Sequence, residues 1–192
     1  MMIEGESTEL IFNDFAGQDV LRALLQFYLK TMSTVFIVFD ASDMIKGPEA
    51  EAKCIKEILS WINLVIAQTF DSRSRKMASI VLVGTHLDVI ANHAREAAAA
   101  AATPGGTGPT VDAILETVSL RLHAELKDSF AWPYVIPNDH GRNADGARTQ
   151  TNFFCVDCTR GREDRDLRLL MRLIELKVGS SPVKLIKWCD VM

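Results

Sequence analysis

Two hydrophobic rhythms take turns along this chain. Short continuous apolar runs, rich in β-branched and aromatic residues, mark buried strands; between them apolar residues return at helical spacing. Leu10-Ile11-Phe12 is the first such run. Leu21, Leu24, Leu25 and Tyr28 then follow the i, i+3, i+4, i+7 pattern of an amphipathic helix. Thr34 to Asp40 (Thr-Val-Phe-Ile-Val-Phe-Asp) reads as a strand buried on both faces. Gly47-Pro48 opens a helix, since proline is tolerated in a first turn, and Ile55, Ile58, Leu59, Ile62, Val65 and Ile66 continue it on one face. Ser79 to Gly84 predicts another buried strand and Asn152 to Asp157 the last one. Val111, Ile114, Leu115, Val118 and Leu122 form a helical stripe, as do Leu167, Leu170, Met171, Ile174 and Val178, with Gly179 placed as a C-terminal cap.

Alternating strands and helices of this kind predict an α/β fold with a mostly parallel sheet. Three stretches depart from the rhythm. From about Ala91 to Thr110 the chain carries an alanine run and then Thr103-Pro104-Gly105-Gly106-Thr107-Gly108-Pro109, which reads as a disordered surface insertion. Pro137 to Gln150 reads as a polar loop, and Ser181-Pro182 as the opening of a further short helix.

Composition narrows the function classes. With 48% hydrophobic and 24% charged residues the chain is ordinary for a globular protein, and 192 residues suffice for one domain with a real core. A formal charge of −4 offers no basic surface for nucleic acid. The acidic start lacks a signal core, and no apolar run approaches the ~18–20 residues that span a bilayer, so a cytoplasmic protein without a membrane span is expected. The four cysteines, Cys54, Cys155, Cys158 and Cys189, do not form a secreted disulfide framework.

Candidate chemistry sits just beyond strands, where open α/β sheets bind ligands. Asp14-Phe15-Ala16-Gly17-Gln18 follows the first strand. Asp14 there can hold a water of a hydrated Mg²⁺, Gly17 lets a backbone N–H approach a phosphate, and Gln18 can orient an attacking water. Alone, Asp-x-x-Gly-Gln arises by chance in many turns. Val83-Gly84-Thr85-His86-Leu87-Asp88 is more informative, because the Asp88 carboxylate can accept both the ring N–H and the exocyclic amine of guanine. Thr85 and Asp88 can equally cap the following helix. Cys155-Val156-Asp157-Cys158-Thr159-Arg160 closes the last strand; its N–H groups can contact a purine oxygen, with Arg160 flanking the base. The Cys-x-x-Cys spacing also allows a redox or zinc site, but zinc needs two further ligands, and structural cysteines are the expectation. His86, His93, His123 and His140 show no metal-ligand spacing, and His86 is expected to pack on the base.

Taken in order along the chain, these elements resemble the Ras-like GTPases, and Asp-Phe-Ala-Gly-Gln with Val-Gly-Thr-His-Leu-Asp resembles the Roc domains of Roco signalling proteins. The resemblance runs from about Glu9 to Val178. It implies a Ras-like, P-loop NTPase type three-layer fold over residues 1–178, with 179–192 as a following segment or tail. It also implies GTP or GDP with Mg²⁺ as ligands. Asp14 and Gly17 would then serve Mg²⁺ and the γ-phosphate, and Gln18 the attacking water. Thr85, His86 and Asp88 would bind guanine, assisted by Cys158 and Thr159. Other protein domains, including a dimer partner, are the implied partners, and a kinase domain can lie elsewhere in such a protein. Thr159-Arg160 departs from the usual alanine-lysine.

No Gly-x-x-x-x-Gly-Lys-(Ser/Thr) occurs in the chain, so the loop that cradles phosphates in this family is absent. The first strand and switch I of the resembled fold have no place either. That strand would stand between the Leu10–Phe12 and Val35–Asp40 strands, which must close up or borrow a strand. The expectation is therefore an incomplete guanine-nucleotide domain that neither binds GTP tightly nor hydrolyses it alone. The alternative is a pseudo-GTPase that serves as a protein-interaction module.

Overall fold

The computed structural model describes residues 11–14, 29, 34–72, 77–100, 108–142, 148–178 and 184–187. Its strands are β1 (Ile11–Asp14), β2 (Thr34–Asp40), β3 (Ser79–Thr85), β4 (Asn138–Arg142), β5 (Arg148–Thr151), β6 (Phe154–Cys155) and β7 (Lys184–Lys187). Its helices are α1 (Pro48–Thr69), α2 (Leu87–Ala100), α3 (Val111–Leu126) and α4 (Arg165–Val178). A 3-10 turn, Ala41–Ile45, links β2 to α1. The helix expected around Leu21–Tyr28 lies outside the described residues, as do Gly17, Gln18 and Gly179.

β2, β3 and β6 form a parallel sheet in that order. β2 and β3 run in register over seven residues, from Thr34 opposite Ser79 to Asp40 opposite Thr85. Side chains alternate between the faces of a strand, and both faces here are covered. Val35, Ile37 and Phe39 of β2, with Ile80 and Leu82 of β3, pack against Ile58 and Ile62 of α1, Ile90 of α2 and Leu122 of α3. Phe36, Val81, Val83 and Phe154 face the other way, onto Leu170 and Ile174 of α4. The result is a three-layer α/β arrangement, and the continuous apolar runs of β2 and β3 are its direct consequence. No helix among the described residues is long and apolar enough to cross a membrane.

The helix starts follow local chemistry. Gly47, at φ 135°, leads into Pro48 at the head of α1, and the Thr110 hydroxyl accepts the N–H of Ala113 at 3.2 Å to cap α3. Asp164 Oδ1 accepts the N–H of Leu167 at 2.8 Å at the start of α4.

Four sequence expectations are corrected. Residues 91–100, expected within a disordered insertion, continue α2, because Ile90 and Ala94 are buried and the alanine-rich helix packs against the 3-10 turn and α3. The stretch Pro137–Gln150, expected as a loop, contributes β4 and β5, an antiparallel pair with Asn138 opposite Thr151. Residues 184–187, expected to follow a helix start at Ser181, form β7. That strand runs parallel to β1, with Ile11 opposite Lys184 and Asp14 opposite Lys187, and it also lies against β2. β1 has thus borrowed a strand, the second of the two outcomes open to it. The last strand of the main sheet is also shorter than expected, Phe154–Cys155 rather than Asn152–Asp157.

Gly84 is where the sheet and the 3-10 turn come closest. A Cβ there would stand 2.8 Å from Ala41 Cβ and 3.2 Å from Phe153 Cδ2, both on fully buried residues. Gly84→Ala is therefore expected to destabilise the fold by about 1–3 kcal/mol through overpacking. Urea denaturation of the two proteins measures it, and an unchanged midpoint would contradict this packing.

Candidate functional site at the carboxyl edge of the sheet

Parallel strands end on the same side, so register decides what meets there. Asp40 ends β2 opposite Thr85, and Gly84 lies opposite Cys155. The ladder extends into the loops: Val156 N donates to Gly84 O at 2.8 Å, and Leu87 N donates to Val156 O at 3.3 Å. The loop carrying Thr85, His86 and Asp88 is thereby bonded to the loop carrying Cys158 and Thr159. Two of the three candidate motifs are brought together. Of the third, only Asp14 falls within the described residues, at the carboxyl end of β1 beside Lys187.

Thr85 is 6% exposed, and its hydroxyl donates to Phe39 O at 3.3 Å, across to β2. It therefore ties the loop to the neighbouring strand and does not cap α2. The α2 start is satisfied instead by backbone, with Val89 N and Ile90 N both donating to His86 O, at 3.1 and 3.3 Å. His86 has φ 63°, a left-handed conformation that turns the chain sharply out of β3. Asp88 lies in the first turn of α2, partly exposed, and its carboxylate makes no hydrogen bond or ion pair among the described residues. The capping alternative thus fails for Thr85 and finds no support at Asp88.

Cys158, Thr159 and Arg160 are exposed on a tight turn built by Asp157. Asp157 Oδ1 accepts Thr159 N at 2.9 Å and the Thr159 hydroxyl at 2.5 Å. These bonds from Thr159, aided by Arg160 and working against burial, hold the Asp157 carboxyl below its ordinary range. Asp157 N is itself anchored to Asp164 Oδ2 at 3.2 Å.

Sequence reading missed Asp40. Its Oδ1 accepts Ser42 N at 2.8 Å and the Ser42 hydroxyl at 2.6 Å, and it lies 3.1 Å from His86 Nδ1. Lys46 Nζ is 3.6 Å from Oδ2. Burial raises the Asp40 carboxyl, but the Ser42 bonds, then His86 and Lys46, outweigh it and leave it below the ordinary value. The available signal was position: Asp40 ends a strand at the edge where Asp14 and Asp88 were sought.

Below this edge, Asp166 Oδ2 accepts Cys155 N at 2.9 Å and Asn138 Nδ2 at 3.0 Å. Burial pushes its carboxyl above the ordinary value, helped by Asp164 and opposed by the Cys155 N–H bond. Cys155 is buried and Cys158 exposed, neither is in a disulfide, and burial raises the Cys155 thiol. Cys54 is likewise pushed up to about 12, by burial first. No group of three or more metal-ligating side chains occurs among the described residues. A cavity of about 440 Å³ between α1, α2 and α3 is walled by Met44, Pro48, His93, Ile114 and Arg121, and none of the site residues reaches it.

No family profile, curated protein or solved structure matches the chain.

The acids make opposite contributions with pH. Asp40 and Asp157, with lowered values, stabilise the fold above the ordinary carboxylate range, and that stability is lost as pH falls through their lowered values. Asp166, with a raised value, favours the fold below that range, and its contribution is lost as pH rises through the raised value. Asp166→Ala should destabilise by about 1–3 kcal/mol, because it removes the acceptor of Cys155 N. Asp166→Asn should be milder at neutral pH, since it keeps an acceptor and sheds a buried charge. Urea melts from about pH 4 to 8 separate the two; equal losses at pH 7 would contradict a buried charged acceptor. Under native conditions a maleimide should label Cys158 well before Cys54 or Cys155, as read by peptide mass spectrometry; early labelling of Cys155 would undo the structural assignment of that cysteine.

Proposed function

We propose that this chain is the base-recognition part of a Roc-type, Ras-like guanine-nucleotide domain of a Roco signalling protein. The observation that carries the reading is Asp88: a carboxylate without a partner among the described residues, at the carboxyl edge of a parallel sheet, in the first turn of α2 next to Leu87, whose N–H is bonded to Val156 just before the Cys158–Thr159 turn. A planar carboxylate in that position can accept both N–H groups on one edge of guanine, a pattern adenine does not offer. Cys158 and Thr159 lie exposed on the adjoining turn, and Thr159 N is given to Asp157. Thr85 serves by holding the loop to β2 rather than by touching the base. Mg²⁺ and the phosphates of GTP or GDP would fall to Asp14, Gly17 and Gln18, and the chain carries no Gly-x-x-x-x-Gly-Lys-(Ser/Thr) to join them.

On this reading the chain alone binds nucleotide weakly, through the base, and does not hydrolyse GTP. The missing phosphate motif also favours a second reading, a pseudo-GTPase module that binds other protein domains. Both readings keep the guanine edge, and they differ in whether a phosphate grip is supplied from elsewhere.

Asp88→Asn should weaken guanosine binding by about ten- to a hundredfold, the loss of a charge-assisted hydrogen bond. It should at the same time favour xanthosine, whose carbonyl replaces the amine and accepts from the asparagine amide. Chemical-shift titration with the two nucleosides makes the comparison, and unchanged guanosine affinity in the variant would sink the proposal. A fluorescent GTP analogue should show no sub-micromolar, Mg²⁺-dependent affinity for the chain.

A further inference from the structure

His86 is held more tightly than packing on a base requires. Its backbone occupies the left-handed region at φ 63°, where non-glycine residues are uncommon and which residues at functional sites adopt more often than others. Its side chain is 41% exposed at the carboxyl edge, yet one ring nitrogen is fully engaged. Nδ1 lies 3.1 Å from Asp40 Oδ1 and 3.0 Å from Thr85 Oγ1.

These two contacts decide where the ring proton sits. Asp40 is kept ionised by the Ser42 N–H and hydroxyl, with Lys46 beside its other oxygen, so it can only accept. A bare Nδ1 would set its lone pair against that carboxylate at 3.1 Å, so a proton must lie between them. Thr85 spends its own proton on Phe39 O at 3.3 Å and therefore also faces Nδ1 as an acceptor. Both neighbours call for Nδ1–H, whereas an imidazole in water prefers its proton on Nε2. Nε2 makes no hydrogen bond to any described residue.

We propose, building on the base-recognition reading, that Asp40 is a positioning residue that locks the neutral ring of His86 as the Nδ1–H tautomer and so presents Nε2 to the ligand as a hydrogen-bond acceptor. The groups this atom recognises are neutral donors, a sugar hydroxyl or a ring N–H. An anionic oxygen that carries no proton brings only lone pairs and is rejected. His86 therefore acts as a selective reader of the nucleoside part of the ligand, which a lysine, with donors alone, cannot be.

The test uses the full chain labelled with ¹⁵N-histidine and long-range ¹H–¹⁵N correlation, on the alkaline plateau of the His86 ring shifts. Wild type should show a protonated Nδ1 and a pyridine-like Nε2. Asp40→Ala should move the ring toward Nε2–H, and Thr85→Val, which leaves the carboxylate in place, should not. A wild-type ring already in the Nε2–H form overturns the inference, and this result needs no variant to fold. A switch in Thr85→Val but not in Asp40→Ala also overturns it. Adding guanosine should then shift Nε2, and sulfate, an anion with no proton to donate, should not. Guanosine that perturbs the Asp88 amide but leaves Nε2 unmoved overturns this inference and leaves the base reader standing. Silence at both Asp88 and Nε2 removes both.

Discussion

Everything described depends on the seven-residue parallel register of β2 and β3. Parallel strands cannot be joined by a tight turn, so each connection must cross a face of the sheet, and here α1 does so. That crossing covers one face, and α4 covers the other. A strand covered on both faces tolerates little but apolar residues, which is why Val35 to Phe39 and Ile80 to Val83 are continuous runs. The same register ends both strands together, and so Asp40 meets Thr85 at the edge.

Around that edge, four aspartates are occupied with the backbone and its loops. Asp40 closes the turn after β2, Asp157 folds the Cys158–Thr159 turn, Asp164 caps α4 and anchors Asp157 N, and Asp166 holds β6 to β4. Each replaces water around N–H groups that would otherwise be left unpaired in a tight site. Asp88 is different, since its carboxylate has no such work among the described residues. This contrast singles out Asp88 from its neighbours at the carboxyl edge of the sheet.

Much of the core was legible because its signals are local. Thr34–Asp40, Pro48 at the start of α1, and the stripe through Val118 and Leu122 can each be read within one window of chain. The misreadings share a cause. Residues 91–100 are poor in large apolar groups, and their helix is secured by burial of Ile90 and Ala94 and by packing on the 3-10 turn and α3, which lie apart from it in the sequence. β4, β5 and β7 are polar or short, and a strand of that kind is defined by its partner rather than by its own pattern. Asp40 was visible as the end of a strand, but its bond to His86 spans 46 residues and follows only from the β2–β3 pairing.

The sequence by itself determined the α/β alternation, the places where strands end, and the residue types at those ends, because hydrophobic periodicity and turn chemistry act over a few residues. It also carried the resemblance on which the guanine reading rests. Tertiary structure decided which ends meet. Only the parallel register puts Asp40 against His86, gives the Thr85 hydroxyl to Phe39 and bonds Gly84 and Leu87 to Val156. Contacts between residues far apart in sequence require the whole sheet to close, and no local pattern encodes that closure.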